Sequence, residues 1–138
     1  MIIDSHSHLN DEKLAPRAKE IVEEFKDNNI ECCVIVGASF GSSCIALKQA
    51  HDFNQYALIG THPEDAQEIS DEIIAKYKEM AKDEKVIGIG EIGLDYHFDD
   101  MNPKEVQKVA FEKQIMLAYD VNLPVALHVR DAYKDTLD

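Results

Sequence analysis

The sequence predicts an α/β protein of about five parallel strands alternating with helices, and three observations predict it. Short apolar runs recur along the chain, separated by stretches with helical patterning. These runs are spaced as βα units are spaced. Each run also ends at a histidine, a carboxylate or small residues. That register suits the active-site face of a (β/α) barrel or the ligand edge of an open α/β sheet.

The first run, Met1-Ile2-Ile3, is β-prone and leads directly into Asp4-Ser5-His6-Ser7-His8. Positions i and i+2 of a strand share a side, so His6 and His8 can converge on one ion. Asp4 precedes them on that face, where a carboxylate can orient a ligand imidazole. On its own the stretch is equally compatible with two polar histidines in a surface turn. Next, Ala18, Ile21, Val22 and Phe25 recur at helical spacing, with Pro16 suited to a first turn. The second run, Cys33-Val34-Ile35-Val36, is followed by Gly37-Ala38-Ser39 and then a weaker helical pattern over 42–53. The third, Tyr56-Ala57-Leu58-Ile59, delivers Gly60-Thr61-His62-Pro63. Its helix carries Ile73, Ile74, Tyr77 and Met80 on one face, with Ser70 or Asp71 as cap.

The fourth run, Val86-Ile87-Gly88-Ile89, ends at Gly90-Glu91. After Pro103, Val106, Ala110, Leu117 and Val121 mark one helical stripe. The fifth run, Pro124-Val125-Ala126-Leu127, ends at His128-Val129-Arg130. Strand starts near 1, 33, 56, 86 and 124 give intervals of 32, 23, 30 and 38 residues. The near-continuous apolar character of the runs predicts strands covered on both faces.

The bulk numbers bound the function. A chain of 138 residues without a Gly-, Pro- or Ser-rich linker reads as a single domain over 1–138. Its 27 acids against 14 bases give a formal charge of −13, which repels phosphate backbones. A nucleic-acid substrate would have to be engaged through bound cations or a local cluster of bases. Cys32, Cys33 and Cys44 have no metal-knuckle spacing and read as reduced, buried small hydrophobes. No apolar run approaches spanning length, and the first strand begins at Met1, so a soluble cytoplasmic protein without membrane contact is expected.

With these residues assembled, the chain resembles the TatD family of metal-dependent hydrolases, described as deoxyribonucleases. The resemblance rests on Asp4–His8, Gly60–Pro63, the block Gly88-Ile89-Gly90-Glu91-Ile92-Gly93-Leu94-Asp95-Tyr96, and Leu123–Ala132. Gln107, Phe111 and Gln114 fit the pattern too. It implies a TIM-type (β/α) barrel with two divalent cations, Mg, Mn or Zn, at the C-terminal face, and DNA as substrate. His6 and His8 would bind the first ion, His128 the second, and the catalytic Glu91 would bridge both. Such pairs sit ~3.5–4 Å apart and activate a water for in-line displacement. The family's pattern continues with a histidine after strand 6 and an aspartate after strand 7. A complete barrel takes ~250 residues, so this span corresponds to an incomplete, N-terminal portion, and the resemblance implies impaired catalysis by it alone.

Around that centre, His62 and Arg130 are expected to contact substrate phosphate, the latter bidentately. The alternatives are a loop role for His62 and a salt bridge from Arg130 to Asp131 or Asp95. Asp95, at an expected turn in Gly93–Tyr96, would bond nearby backbone or support a ligand. His97 and Asp99-Asp100 read as solvated loop, and His51 as helix surface. Gln114 falls on an apolar stripe, where its amide would satisfy buried backbone. Five strands alone leave two sheet edges unpaired, which predicts a homo-oligomer or a partner covering them. Two competing functions stand beside the nuclease: an inert or regulatory metal-binding fragment, and another HxH hydrolase (a PHP phosphoesterase or amidohydrolase). Many binuclear amidohydrolases place a modified lysine where Glu91 stands, which favours the TatD reading.

Overall fold

Five strands form one parallel sheet: β1 (Ile2–Ser7), β2 (Ile30–Val36), β3 (Tyr56–Ile59), β4 (Val86–Asp95) and β5 (Val125–Arg130). They are described, with every other residue of 1–138, by a computed structural model. The spatial order is β1-β2-β3-β4-β5 with no reversal. A doubly wound sheet changes direction at a switch point, whereas a barrel adds each strand beside the last. The order therefore resolves the two architectures in favour of a curled half-barrel.

Helices follow each strand. They are α1 (Ala18–Glu23, after a 3-10 turn at Ala15–Arg17), α2 (Phe40–Asp52), α3 (Asp71–Met80), α4 (Lys104–Val121) and α5 (Tyr133–Leu137). Local chemistry sets their ends. Ser39 and Ser42 exchange the bonds of a capping box at the start of α2, and Ser70 Oγ accepts from Ile73 N at the start of α3. Asn122 closes α4 in the left-handed region, at φ 55°. The helical layer packs on one face of the sheet. Ile59, Ile89, Ile92 and Leu94 meet Tyr77, Phe111 and Leu117. Cys33, Ile35 and Ala57 meet Ala46 and Ala50. Val34, Val36 and Leu58 pack together on the other face, as strand alternation requires.

Several expectations are corrected. Cover on both faces holds for the central strands only; Ile3 in β1 is 60% exposed and Leu127 in β5 is 48% exposed. β2 begins at Ile30 rather than Cys33, because Ile2 pairs with Ile30 and Ile3 with Cys32. Gly93–Asp95 is not a turn but the end of β4, drawn out by pairing of Ile92 through Asp95 with β5. The buried stripe of α4 is Gln107, Ala110, Phe111, Gln114, Leu117 and Ala118, which leaves Val106 exposed. α1 stops before Phe25. Cys33 is buried, yet Cys32 is half-buried and Cys44 exposed, so only one of the three thiols is a core residue. No helix is long and apolar enough to cross a membrane.

Candidate metal centre

The strand ends gather most of the expected donors at one face. β1 carries His6 and, just past its end, His8; their Nε2 atoms are 3.2 Å apart. Glu91 lies in β4 between them and His128 of β5. One carboxylate oxygen, Oε2, faces His6 Nε2 at 3.5 Å and His8 Nε2 at 3.8 Å. The other, Oε1, faces His128 Nδ1 at 3.2 Å. Two groups of ligand atoms result, His6–His8–Glu91 and His62–Glu91–His128, each with all its atoms within 4.8 Å of one another. Glu91 belongs to both.

Backbone packing makes this approach possible. A Cβ on Gly90 would come within 2.7 Å of the Ala126 side chain, so only glycine lets β4 lie this close to β5. Gly93 has φ 147°, and a Cβ there would collide with the His128 carbonyl. The loop after β2 braces the neighbours. Glu91 N donates to Gly37 O at 2.9 Å, and His62 N donates to Ala38 O at 2.8 Å.

Asp95 and His128 form the tightest side-chain contact of the centre, Oδ2 to Nε2 at 2.8 Å. With the carboxylate as acceptor, Nε2 carries the proton and Nδ1 turns its lone pair toward Glu91. Burial pushes the Asp95 carboxyl up, but the His97 N–H, the His128 ring and the Arg130 charge outweigh it and hold it below the usual range. Gln107 anchors the same residue, accepting from Asp95 N at 2.8 Å and donating to Asp95 O at 2.9 Å. Nothing in the apolar patterning singled out that brace; a glutamine facing inward on a helix was the available signal.

His62 caps the 3-10 turn Pro63–Glu68, its Nδ1 accepting from Glu64 N at 3.1 Å. Its ring lies edge-on to His128, with centroids 4.2 Å apart. Burial, and then the His128 ring, hold the His62 imidazole below its ordinary value, which favours the neutral ring. Asp4 bonds the His6 backbone N–H at 3.2 Å, which steadies the strand end rather than a ring. Arg130 makes neither of the salt bridges considered for it. Its guanidinium sits over the Phe98 ring at 4.8 Å, while Asp131 pairs with His97 at 2.8 Å. His51 lies away from the centre, paired with Asp83 at 2.8 Å.

The donor set fits divalent cations. Imidazole nitrogen and carboxylate oxygen suit zinc, manganese and related ions. The Glu91 side chain is only 17% exposed, and its ion-pair partners are all imidazoles, with no lysine or arginine among them. A carboxylate so withdrawn from water, facing imidazole nitrogens on two sides, is what bound cations satisfy.

The family model described as TatD related DNase matches residues 3–138. This chain belongs to the TatD family. Among similar proteins, the "Uncharacterized metal-dependent hydrolase YabD" of Bacillus subtilis is 41% identical, over 99% of this chain and 54% of its own length. The "3'-5' ssDNA/RNA exonuclease TatD" of Yersinia pseudotuberculosis is 30% identical, over 99% of this chain and 53% of its own. The crystal structure of YJJV, a TatD homolog from Escherichia coli K12, superposes with a TM-score of 0.88 at 25% identity, covering 98% of this chain and 53% of that one. The chain thus spans about half the length of the curated relatives it matches.

Proposed function

We propose that residues 1–138 act as one unit, the N-terminal part of a TatD-like barrel that hydrolyses phosphodiester bonds of DNA with divalent cations in a cytoplasmic setting. The observation that carries this reading is the split engagement of Glu91, one oxygen toward His6 and His8 and the other toward His128. His6, His8 and Glu91 would hold one cation; Glu91 and His128 would hold a second, with Mg, Mn or Zn as the ions concerned. When bound, such a pair offsets phosphate charge and acidifies a water.

The chain's own residues prepare the substrate side. Asp95 keeps the His128 proton on Nε2 and so fixes which nitrogen faces Glu91. His62 accepts the Glu64 N–H at Nδ1, so in the neutral ring Nε2 carries the proton. That geometry supports His62 as a donor to a phosphate oxygen rather than as a ligand. Arg130, held against Phe98, adds a positive charge with a fork that matches phosphate. These contacts also answer the overall charge of −13, since attraction is confined to the centre.

A second reading, a fragment that binds metal without turnover, is favoured by the openness of one side. His6 and His8 are 42% and 45% exposed, and relatives carry about as much chain again. The purified 138-residue chain separates the two when assayed for bound metal and for manganese- or magnesium-dependent nuclease activity. Turnover lost in Glu91→Ala supports the nuclease; turnover that survives Glu91→Ala sinks the site. Metal bound without turnover supports the second reading.

The free edges of β1 and β5, with Ile2, Ile3, Val125 and Leu127 exposed beside them, support association with a second copy. Sedimentation should give a species larger than a monomer. A compact, stable monomer at micromolar concentration would count against this.

A further inference from the structure

A cleft of about 560 Å³ adjoins the candidate centre and shares His62 and Asp95 with it. Its remaining wall comes from the turn Pro63–Glu68 and from the loop that joins β4 to α4, where Phe98 and Met101 are its two hydrophobic residues. Asn102 ties the two walls together, donating to Pro63 O at 3.1 Å, Glu64 O at 2.7 Å and Gln67 Oε1 at 2.7 Å. Nothing in the metal chemistry uses this space.

Its lining selects an occupant. Glu64, Asp95 and Asp100 make the cleft acidic, so it repels a phosphate. The Glu64 and Asp100 carboxylates, which take no other side-chain bond, accept from neutral N–H donors. Phe98 is 49% exposed although it is a large aromatic on a loop. Its ring is held in place by Arg130 at 4.8 Å and by His97 edge-on at 4.7 Å. A half-exposed, braced aromatic ring beside acceptors matches the flat surface and exocyclic amines of a nucleobase. The shared residues His62 and Asp95 place the cleft next to the phosphate position.

We propose that this cleft is a nucleobase subsite, in which a base of a single strand stacks on Phe98 while its adjoining phosphate lies at the metal centre. The proposal rests on the phosphodiesterase reading above. Arg130 then serves both sides, bracing the ring and reaching the backbone. Base–aromatic stacking is tolerant of sequence, because every base presents a π-face.

The test compares two single strands of equal charge, a short oligodeoxycytidylate and the same strand without bases. Both carry phosphorothioate linkages and are titrated into the full chain with manganese, with binding read by fluorescence anisotropy. The wild type should bind the base-bearing strand about tenfold or more tightly than the abasic one, the scale of one stacked base. Phe98→Leu, which keeps apolar bulk without a π-face, should bring that ratio close to one while leaving thermal unfolding unchanged. Phe98→Trp should preserve the ratio. A preference for bases that survives Phe98→Leu, or an equal loss for both strands, would overturn the subsite. A wild-type chain that binds neither strand overturns the phosphodiesterase reading itself, and the subsite with it.

Discussion

Replacing Gln114 by methionine, and separately by alanine, divides the role of its amide from that of its bulk. The side chain is 1% exposed and reaches across from α4 to the end of β3. It accepts from Thr61 N at 2.7 Å and donates to Thr61 O at 3.0 Å, with a further bond to Ala110 O at 3.2 Å. Thr61 follows the last paired residue of β3, so no neighbouring strand offers those two backbone groups a partner. Methionine keeps the volume and removes the amide, leaving a buried N–H and C=O unpaired. Each buried orphan costs about 1–3 kcal/mol, the carbonyl toward the lower end. The Ala110 carbonyl stays in the helix ladder and adds little. Gln114→Met should therefore lose about 2–4 kcal/mol.

Gln114→Ala adds the loss of roughly two buried methylene equivalents, about 1–2 kcal/mol more. Against a total stability of about 5–15 kcal/mol, either change is a large fraction. Urea unfolding followed by far-UV circular dichroism measures both. With a slope of about 1–3 kcal/mol/M, the midpoint for methionine should fall by roughly 1–2 M. A methionine variant within about 0.5 kcal/mol of wild type would refute the reasoning, because the amide would then not be satisfying backbone. Loss in alanine alone would show that Gln114 acts by packing.

Two further predictions concern ionisable contacts. Asp95→Asn removes the charge that holds the His128 ring and should weaken metal binding about 10- to 100-fold, measured by isothermal titration with manganese; unchanged affinity would remove Asp95 from the centre. Tyr96 is pushed up to about 12 by burial and by Asp135, which accepts its hydroxyl at 2.9 Å. The stability this adds is whole below the unfolded value of 10.0 and is lost as pH rises through the folded one. NMR titration of the Tyr96 ring should show the raised midpoint, and Asp135→Asn should lower it.

The helices and strands were readable where the side chains themselves carry the signal. Tyr56–Ile59 and Val86–Ile89 are apolar runs, and they appear as strand where they occur. Ser70 caps α3 by the hydroxyl that suggested it. What could not be read depends on distant pairing. Glu31 hides the start of β2, which exists because Ile2 and Ile3 pair with Ile30 and Cys32. Gly93–Asp95 look like a turn until β5 arrives to extend β4. Sequence spacing could bring His6 beside His8, since both depend on one strand. It could not say that Arg130 would lie over Phe98, because that contact joins the end of one strand to a loop after another.

The same distinction governs the centre. His6 and His8 follow from a single period-two rule, but Glu91 meets them only because sequential strand order curls β4 round toward β1. β2 and β3 lie between them in that order, and with β4 they are the buried strands. β1 and β5, which carry the histidines, are the exposed edges of the sheet. In a centre assembled across an interior this open, separate groups hold separate donors: Asp4 at the His6 backbone, Gly37 at Glu91, and Asp95, itself held by Gln107, at His128. Local bracing of this kind orients the two halves of the donor set independently of one another. It also accounts for why Asp95, third in that chain of contacts, is nearly as buried as the hydrophobic core.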